Sequence, residues 1–283
     1  MNAEKSPLDF RVRKEELKTV TGVPIEGKCA LVREDTNQAI SIVGNKFGVI
    51  QNDVLFPELN DIVFSSIPDS HGTAKIVDRT AYNGRICYRD YVFPSEVVTE
   101  GEGTWHGDGV TDLGFMLTLV NGFGGTSLQL YGGAIDYYCS NGLVNAGQRD
   151  IMYRLRHSRR IEVFAMEEAV EKAVDQFNFN RKVWKEWSET ELTNDQVSKF
   201  LEDNADSKAF GKKIFNQWLN EKGVRGSNLW ALLSAFTNYA SHTDSGPFAV
   251  RNTGRDSEAA TRMSRMQRVA RMAESPEFLA LAA

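Results

Sequence analysis

Seven residues, Arg154-Leu155-Arg156-His157-Ser158-Arg159-Arg160, put four guanidiniums and an imidazole into a short stretch ahead of a helical pattern. Cations near a helix N-terminus oppose the positive end of the helix dipole, so such crowding is easiest to explain if an anion normally sits among them. Nucleic-acid phosphate is the leading candidate. The plain alternative is a solvated basic turn paired with the acidic run Glu186 to Asp206, where seven acids stand against Lys199. A second basic series, Arg262, Arg265, Arg268 and Arg271, repeats every three residues, so on a helix it fans along one flank beside Met263 and Met266. It suits the wall of a charged groove or an amphipathic helix at a subunit contact. Bases would need aromatic faces, and Tyr131, Tyr137 and Tyr138 are offered for that role, although aromatics in a strand are more often core.

Other chemistry finds less support. Gly122-Phe123-Gly124-Gly125 suggests a phosphate loop, but it lacks the GK[ST] ending and joins strand to strand, which makes it a hairpin turn. Cys139 and His157 would make a thiolate and its base only if the fold brought them together, and an unpaired cysteine is usually a small core residue. The four histidines, His71, His106, His157 and His242, show no metal-ligand spacing, and the acidic loop around Trp105 to Asp108 reads as solvated. The expectation is therefore no catalytic residue, no metal and no cofactor.

The elements that must position these residues divide the chain in two. Short β-branched and aromatic runs separated by turn residues fill the first half: Cys29 to Arg33, Ala39 to Val43, Lys46 to Ile50, Thr73 to Val77, Tyr82 to Phe93, Leu113 to Asn121 and Leu128 to Asp136. The last two predict a long antiparallel hairpin, with Gly132 and Gly133 suggesting a bulge. One short helix is expected near Gln51 to Ile67, where Pro57 fits only near the first turn. From Ser158 the period becomes helical, with Val163, Met166, Val170, Val174 and Phe177 on one side, a capping box at Thr193 to Gln196, and an apolar helix from Leu229 to Tyr239. Asp256 to Met272 resumes a helix. Strands first and helices afterwards predict an α+β fold: an antiparallel sheet with a long central hairpin in the N-terminal half and a helical C-terminal half packed on it. The boundaries are residues 1–26 as an N-terminal extension, 27–157 as a mainly β region and 158–283 as a mainly α region integrated with it.

Composition bounds the rest. The chain has 283 residues, 41% of them hydrophobic and 25% charged, as in a folded protein. Its net charge of -5 rules out an all-over positive coat and makes local patches decisive. Five acids without a Lys or Arg occupy Glu96 to Asp112, whereas five arginines stand against Asp150 in Arg149 to Arg160. Three scattered cysteines, Cys29, Cys87 and Cys139, predict neither a disulfide framework nor a zinc site. No apolar run reaches membrane-spanning length, and the first eight residues lack the apolar core of a secretory signal, so a cytoplasmic location is expected.

Four segments in this order, Gln51-Asn52-Asp53, Cys139-Ser140-Asn141-Gly142-Leu143-Val144, Arg156 to Glu162 (RHSRRIE) and Asn228 to His242 (NLWALLSAFTNYASH), resemble the phage- and plasmid-encoded proteins grouped as domain of unknown function 932. The likeness covers roughly Gly27 to Ala273. It implies a mobile-element origin and a role in a host cell, with no settled activity to carry over. A long hairpin followed by an arginine-bearing helix is also similar in architecture to Rad52-like single-strand annealing proteins. Together these predict a single-stranded nucleic-acid binding protein, of DNA or RNA, annealing strands during phage or plasmid replication and recombination. Its expected contacts are Arg154, Arg156, His157, Arg159, Arg160, Arg262, Arg265 and Tyr131, and a homo-oligomer is implied by the analogy. The alternative is an accessory protein that binds and inhibits a host defence protein.

Overall fold

The computed structural model describes residues 6–67, 74–94, 113–136, 141–144, 151–157, 163–250 and 256–283. A small antiparallel sheet is built from β1 (Val12–Lys18), β2 (Pro24–Arg33) and β3 (Ala39–Gly44), in that order. After α1 (Asn52–Ser66) come β4 (Lys75–Ala81), β5 (Ile86–Phe93), β6 (Leu113–Gly122) and β7 (Leu128–Asp136), which form an antiparallel meander. The far edge of β7 is shared by two collinear strands, β8 (Asn141–Val144) and β9 (Ile151–Leu155), giving a six-stranded sheet. The helices follow: α2 (Val163–Glu189), α3 (Asn194–Asn204), α4 (Lys208–Arg225), α5 (Leu229–Ser241), α6 (Glu258–Ala273) and α7 (Pro276–Leu279). This is the expected α+β layout, with β6 and β7 as its central hairpin.

Every residue of β6 is buried, on both pleat faces, because helices cover the larger sheet on both sides. One face carries Cys87, Arg89, Tyr91, Phe115 and Gly132, which meet α1 and α2. Tyr91 donates to Asn60 (2.6 Å), and Arg89 lies over the Phe56 ring (4.4 Å). An aromatic chain runs from the sheet into the helices: Phe93 to Phe115 (5.9 Å), Phe115 to Phe177 (5.4 Å), Phe177 to Trp184 (6.3 Å) and Trp184 to Trp230 (5.8 Å). Offset and edge-on ring pairs at this spacing add specificity to the area they bury. The opposite face meets α5 and α6.

Local chemistry explains the helix ends. Thr193 and Gln196 close a reciprocal capping box, Ser207 and Asn228 cap α4 and α5, and Gly226 ends α4 at φ 87°, a conformation costly for other residues. Pro57 sits in the second turn of α1 instead of the first.

Several expectations need revising. Residues 6–26, within the segment set apart as an N-terminal extension, join the fold: Leu8, Phe10 and Val12 belong to the core, and β1 pairs with β2. Lys46 to Ile50 joins no sheet. Phe47, Val49 and Ile50 pack on the core, and the Ile50 carbonyl accepts from Asn121 Nδ2 (3.1 Å) in place of a ladder bond. The register of β6 on β7 is regular across Gly132 and Gly133, so the glycines mark no bulge there. A Cβ on Gly132 would instead stand 2.9 Å from Ala173 Cβ of α2, so the glycine lets helix and sheet approach. The irregularity lies on the other side of β7, against β9.

Candidate nucleic-acid interface

Alternation along β9 sorts its side chains. Tyr153, Leu155 and, just beyond, His157 turn inward, while Arg154 and Arg156 are exposed. Neither arginine has a carboxylate partner among the described residues. Arg154 reaches the Gln129 side chain of the neighbouring strand. The Gln129 amide fits this environment only with its oxygen toward Arg154 Nε (3.1 Å) and Nη2 (2.8 Å), and its nitrogen toward the Tyr131 hydroxyl (2.5 Å). Tyr131 also accepts from Gln267 Nε2 of α6 (3.0 Å). At 4% exposure its ring offers no face to a base, and burial raises the phenol pKa.

His157 does a different job from the one expected. It is buried, its ring stacks on Phe47 (4.7 Å between centroids, 24° between planes), and Nε2 lies 3.1 Å from the Thr126 carbonyl. Burial depresses its pKa, so the neutral imidazole is favoured and it supplies no charge to a phosphate. It ties the β6–β7 turn to the segment after β3.

That turn, Gly122 to Ser127, is a hairpin connection. Gly124 and Gly125 adopt positive φ (145° and 91°). Arg85, in the turn between β4 and β5, donates Nη2 to the Gly124 carbonyl (3.0 Å) and is otherwise exposed. Tyr82, in the same turn, is 41% exposed. Lys46 is exposed beside Phe47, the residue stacked on His157. One end of the sheet therefore gathers Lys46, Arg85 and Arg156 around a glycine-rich turn, with Arg154 one step along the edge. Lys46, Arg85 and Tyr82 were not anticipated, because they come from separate connections. Their signal was topological: in a meander, alternate turns must fall at the same end.

Of the second arginine series, Arg265 and Arg268 are bonded within the fold, Arg262 is half-buried and Arg271 is exposed. Arg265 Nη1 donates to the carbonyls of Tyr239 (3.0 Å) and Phe248 (2.8 Å), and its guanidinium lies over the Tyr239 ring (4.4 Å). Arg268 is ion-paired with Asp206. Arg159, Arg160, Tyr137, Tyr138, Cys139, His71, His106 and the acidic run Glu96 to Asp112 lie outside the described residues.

Among the described residues no group of three His, Cys, Asp or Glu side chains could hold a metal ion. Burial pushes the Cys87 thiol up to about 12, against the thiolate a nucleophile needs. No helix among the described residues is long and apolar enough to cross a membrane.

Neither the curated proteins nor the solved structures contain a match to this chain. A family model does: that of the domain of unknown function DUF932 aligns with residues 39–271, from the start of β3 into the last turn of α6. The chain thus belongs to the DUF932 family, as the order of its QND, CSNGLV, RHSRRIE and NLWALLSAFTNYASH segments foreshadowed.

Proposed function

We propose that this protein binds single-stranded nucleic acid along the β9 edge of the larger sheet, and that its finer role is strand annealing in phage or plasmid recombination. The observation that carries the reading is the exposure of Arg154 and Arg156 without carboxylate partners among the described residues, beside a turn flanked by Arg85 and Lys46. Backbone recognition requires a track of mobile or forked cations, and the net charge of -5 makes such a local concentration the more notable. Stacking falls to the exposed Tyr82 in place of the buried Tyr131. Arg265 drops out of the track because it is bonded within the fold, and Arg262, half-buried on α6, is not on the β9 edge.

The test is fluorescence anisotropy of labelled single-stranded DNA and RNA oligonucleotides across a salt series. Each phosphate contact contributes about 0.7 to the slope of log affinity against log salt on single strands. The Arg154→Ala/Arg156→Ala variant is expected to lower the slope by ~1.4, and Arg85→Ala by about half of that. Absence of binding at low salt, or a slope untouched by these substitutions, would refute the reading.

A second reading, contact with a host protein, draws on the β1–β2 hairpin. Its tip carries Val20 (108% exposed), Val23 (58%) and Ile25 (39%) clear of the body. Apolar side chains so placed suit a protein partner better than a phosphate backbone. Under that reading Val20→Asp/Val23→Asp abolishes recovery of one stoichiometric host protein and leaves oligonucleotide binding intact.

A further inference from the structure

The turn between β4 and β5 carries backbone strain at an exposed aromatic residue. Tyr82, Asn83 and Gly84 follow one another at positive φ (55°, 58° and 86°). Asparagine and glycine tolerate that region, whereas a bulky side chain is strained there and persists only when its surroundings dictate it. Here they do. The Tyr82 N–H donates to the Asp256 carbonyl ahead of α6, and Arg33 Nη1, at the end of β2, donates to the Asn83 carbonyl (3.0 Å). Arg33 is itself fixed by Asp35 (2.7 Å) and by the Phe10 ring (3.9 Å). A Cβ on Gly84 would stand 2.7 Å from that ring, so the third residue must be glycine for space as well as for φ. These anchors grip the main chain and leave the Tyr82 side chain outside, 41% exposed. Strain held in place around an exposed ring points to a use for the ring.

The register of the larger sheet relates this turn to Arg156. Ala81 stands opposite Ile86, Ile86 opposite Gly122 and Leu128 opposite Leu155, so the β4–β5 turn, the β6–β7 turn and the residues after β9 reach the same end of the sheet. We propose that a single strand leaves the β9 edge at Arg156 and crosses this end of the sheet, past Arg85, to stack a base on Tyr82, a route that rests on the nucleic-acid reading above. From Tyr82 to Arg156 the path covers three to four strand spacings, about 14–19 Å at ~4.8 Å each. At the ~3.4 Å rise of a stacked strand that is about four to six nucleotides. Charge gives the path a direction. Arg85 and Arg156 are exposed cations suited to phosphates, whereas the Asp256 carboxylate, which accepts from the Asn83 N–H (3.4 Å), disfavours a phosphate beside Tyr82 and leaves that end to a base.

Fluorescence anisotropy of the full chain with labelled oligothymidylates two to twelve nucleotides long tests the route. Affinity is expected to climb with length and to level off at about four to six nucleotides. Tyr82→Asn, which suits the left-handed turn, is expected to bind the six-nucleotide strand ~5–150-fold more weakly, the worth of one base stacked on an aromatic ring. Its unfolding midpoint should stay within about 2 °C of the parent's, and Tyr82→Phe should bind as the parent does. Weaker binding at an unchanged midpoint distinguishes a base platform from a structural tyrosine. Failure of every oligonucleotide to bind at low salt would refute the nucleic-acid reading and the route with it. Binding that falls in Arg156→Ala but is indifferent to Tyr82→Asn, or that already levels off at two nucleotides, would overturn the route alone.

Discussion

Gly132→Ala tests how tightly α2 is seated on the larger sheet. The added methyl would lie 2.9 Å from Ala173 Cβ and 3.4 Å from Ala173 Cα, where ordinary contact between carbons begins near 3.5 Å. Its φ is not among the positive values, so backbone conformation is no obstacle. Strand propensity alone would favour alanine by about 0.5–1 kcal/mol. Ala173, however, is fully buried and shares its face of α2 with the packed Val170 and Phe177. It cannot yield without moving the helix, and overpacking of this kind costs about 1–3 kcal/mol. The clash should win, leaving a net loss of ~1–2 kcal/mol. For a chain of this size that corresponds to a fall of about 2–6 °C in the unfolding midpoint. Ala173→Gly alone should cost about 1 kcal/mol through helix propensity. The double variant removes the colliding atom, so it should be more stable than the sum of the singles by ~1–2 kcal/mol. Urea unfolding of the four proteins measures the cycle. A neutral or stabilising Gly132→Ala, or strict additivity in the double variant, would show that the glycine is not there for close approach.

Two further outcomes follow from buried charge and titration. Glu221 and Arg225 form a buried pair on α4 (2.9 Å), with Gln217 Nε2 donating to the second Glu221 oxygen (2.9 Å). Glu221→Ala is expected to cost about 3–5 kcal/mol by leaving the guanidinium buried without its carboxylate, and a loss under ~1 kcal/mol in urea unfolding would contradict this. His157 has a folded-state pKa below its unfolded value, so between those values the unfolded chain binds more protons. Its neutral form costs nothing above about pH 6.5, and stability declines as pH falls from there toward the depressed folded value. In His157→Gln that part of the decline should disappear from unfolding free energies measured across the range, and an unchanged profile would assign it to other groups.

Much of the fold was legible because its signals are local. Alternation in Leu113 to Asn121 and Leu128 to Asp136 marked the central hairpin, and Thr193 to Gln196 marked a helix start to the residue, since a capping box needs only four neighbours. Misreadings came where tertiary context chose among local options. Lys46 to Ile50 has strand-like residues, but Asn121 claims the Ile50 carbonyl that a partner strand would have used. Gly132 and Gly133 resembled a bulge because the lack of a side chain signals either a backbone irregularity or a close neighbour, and only Ala173 decides between them.

The same contrast governs the two arginine series. An arginine every three residues on α6 sweeps around the helix, so successive side chains meet different surroundings: Arg265 the carbonyls of Tyr239 and Phe248, Arg268 the Asp206 carboxylate just past α3, and Arg271 solvent. A charge count cannot foresee this, because each partner comes from a different part of the chain. Period-two spacing on β9 does the opposite. It keeps Arg154 and Arg156 on one side of an edge strand, where no second layer closes over them. Arg265 and Arg268 thus become fasteners on the helix, whereas Arg154 and Arg156 remain surface charge on the strand, and for that reason the nucleic-acid reading rests on β9 and the connections beside it.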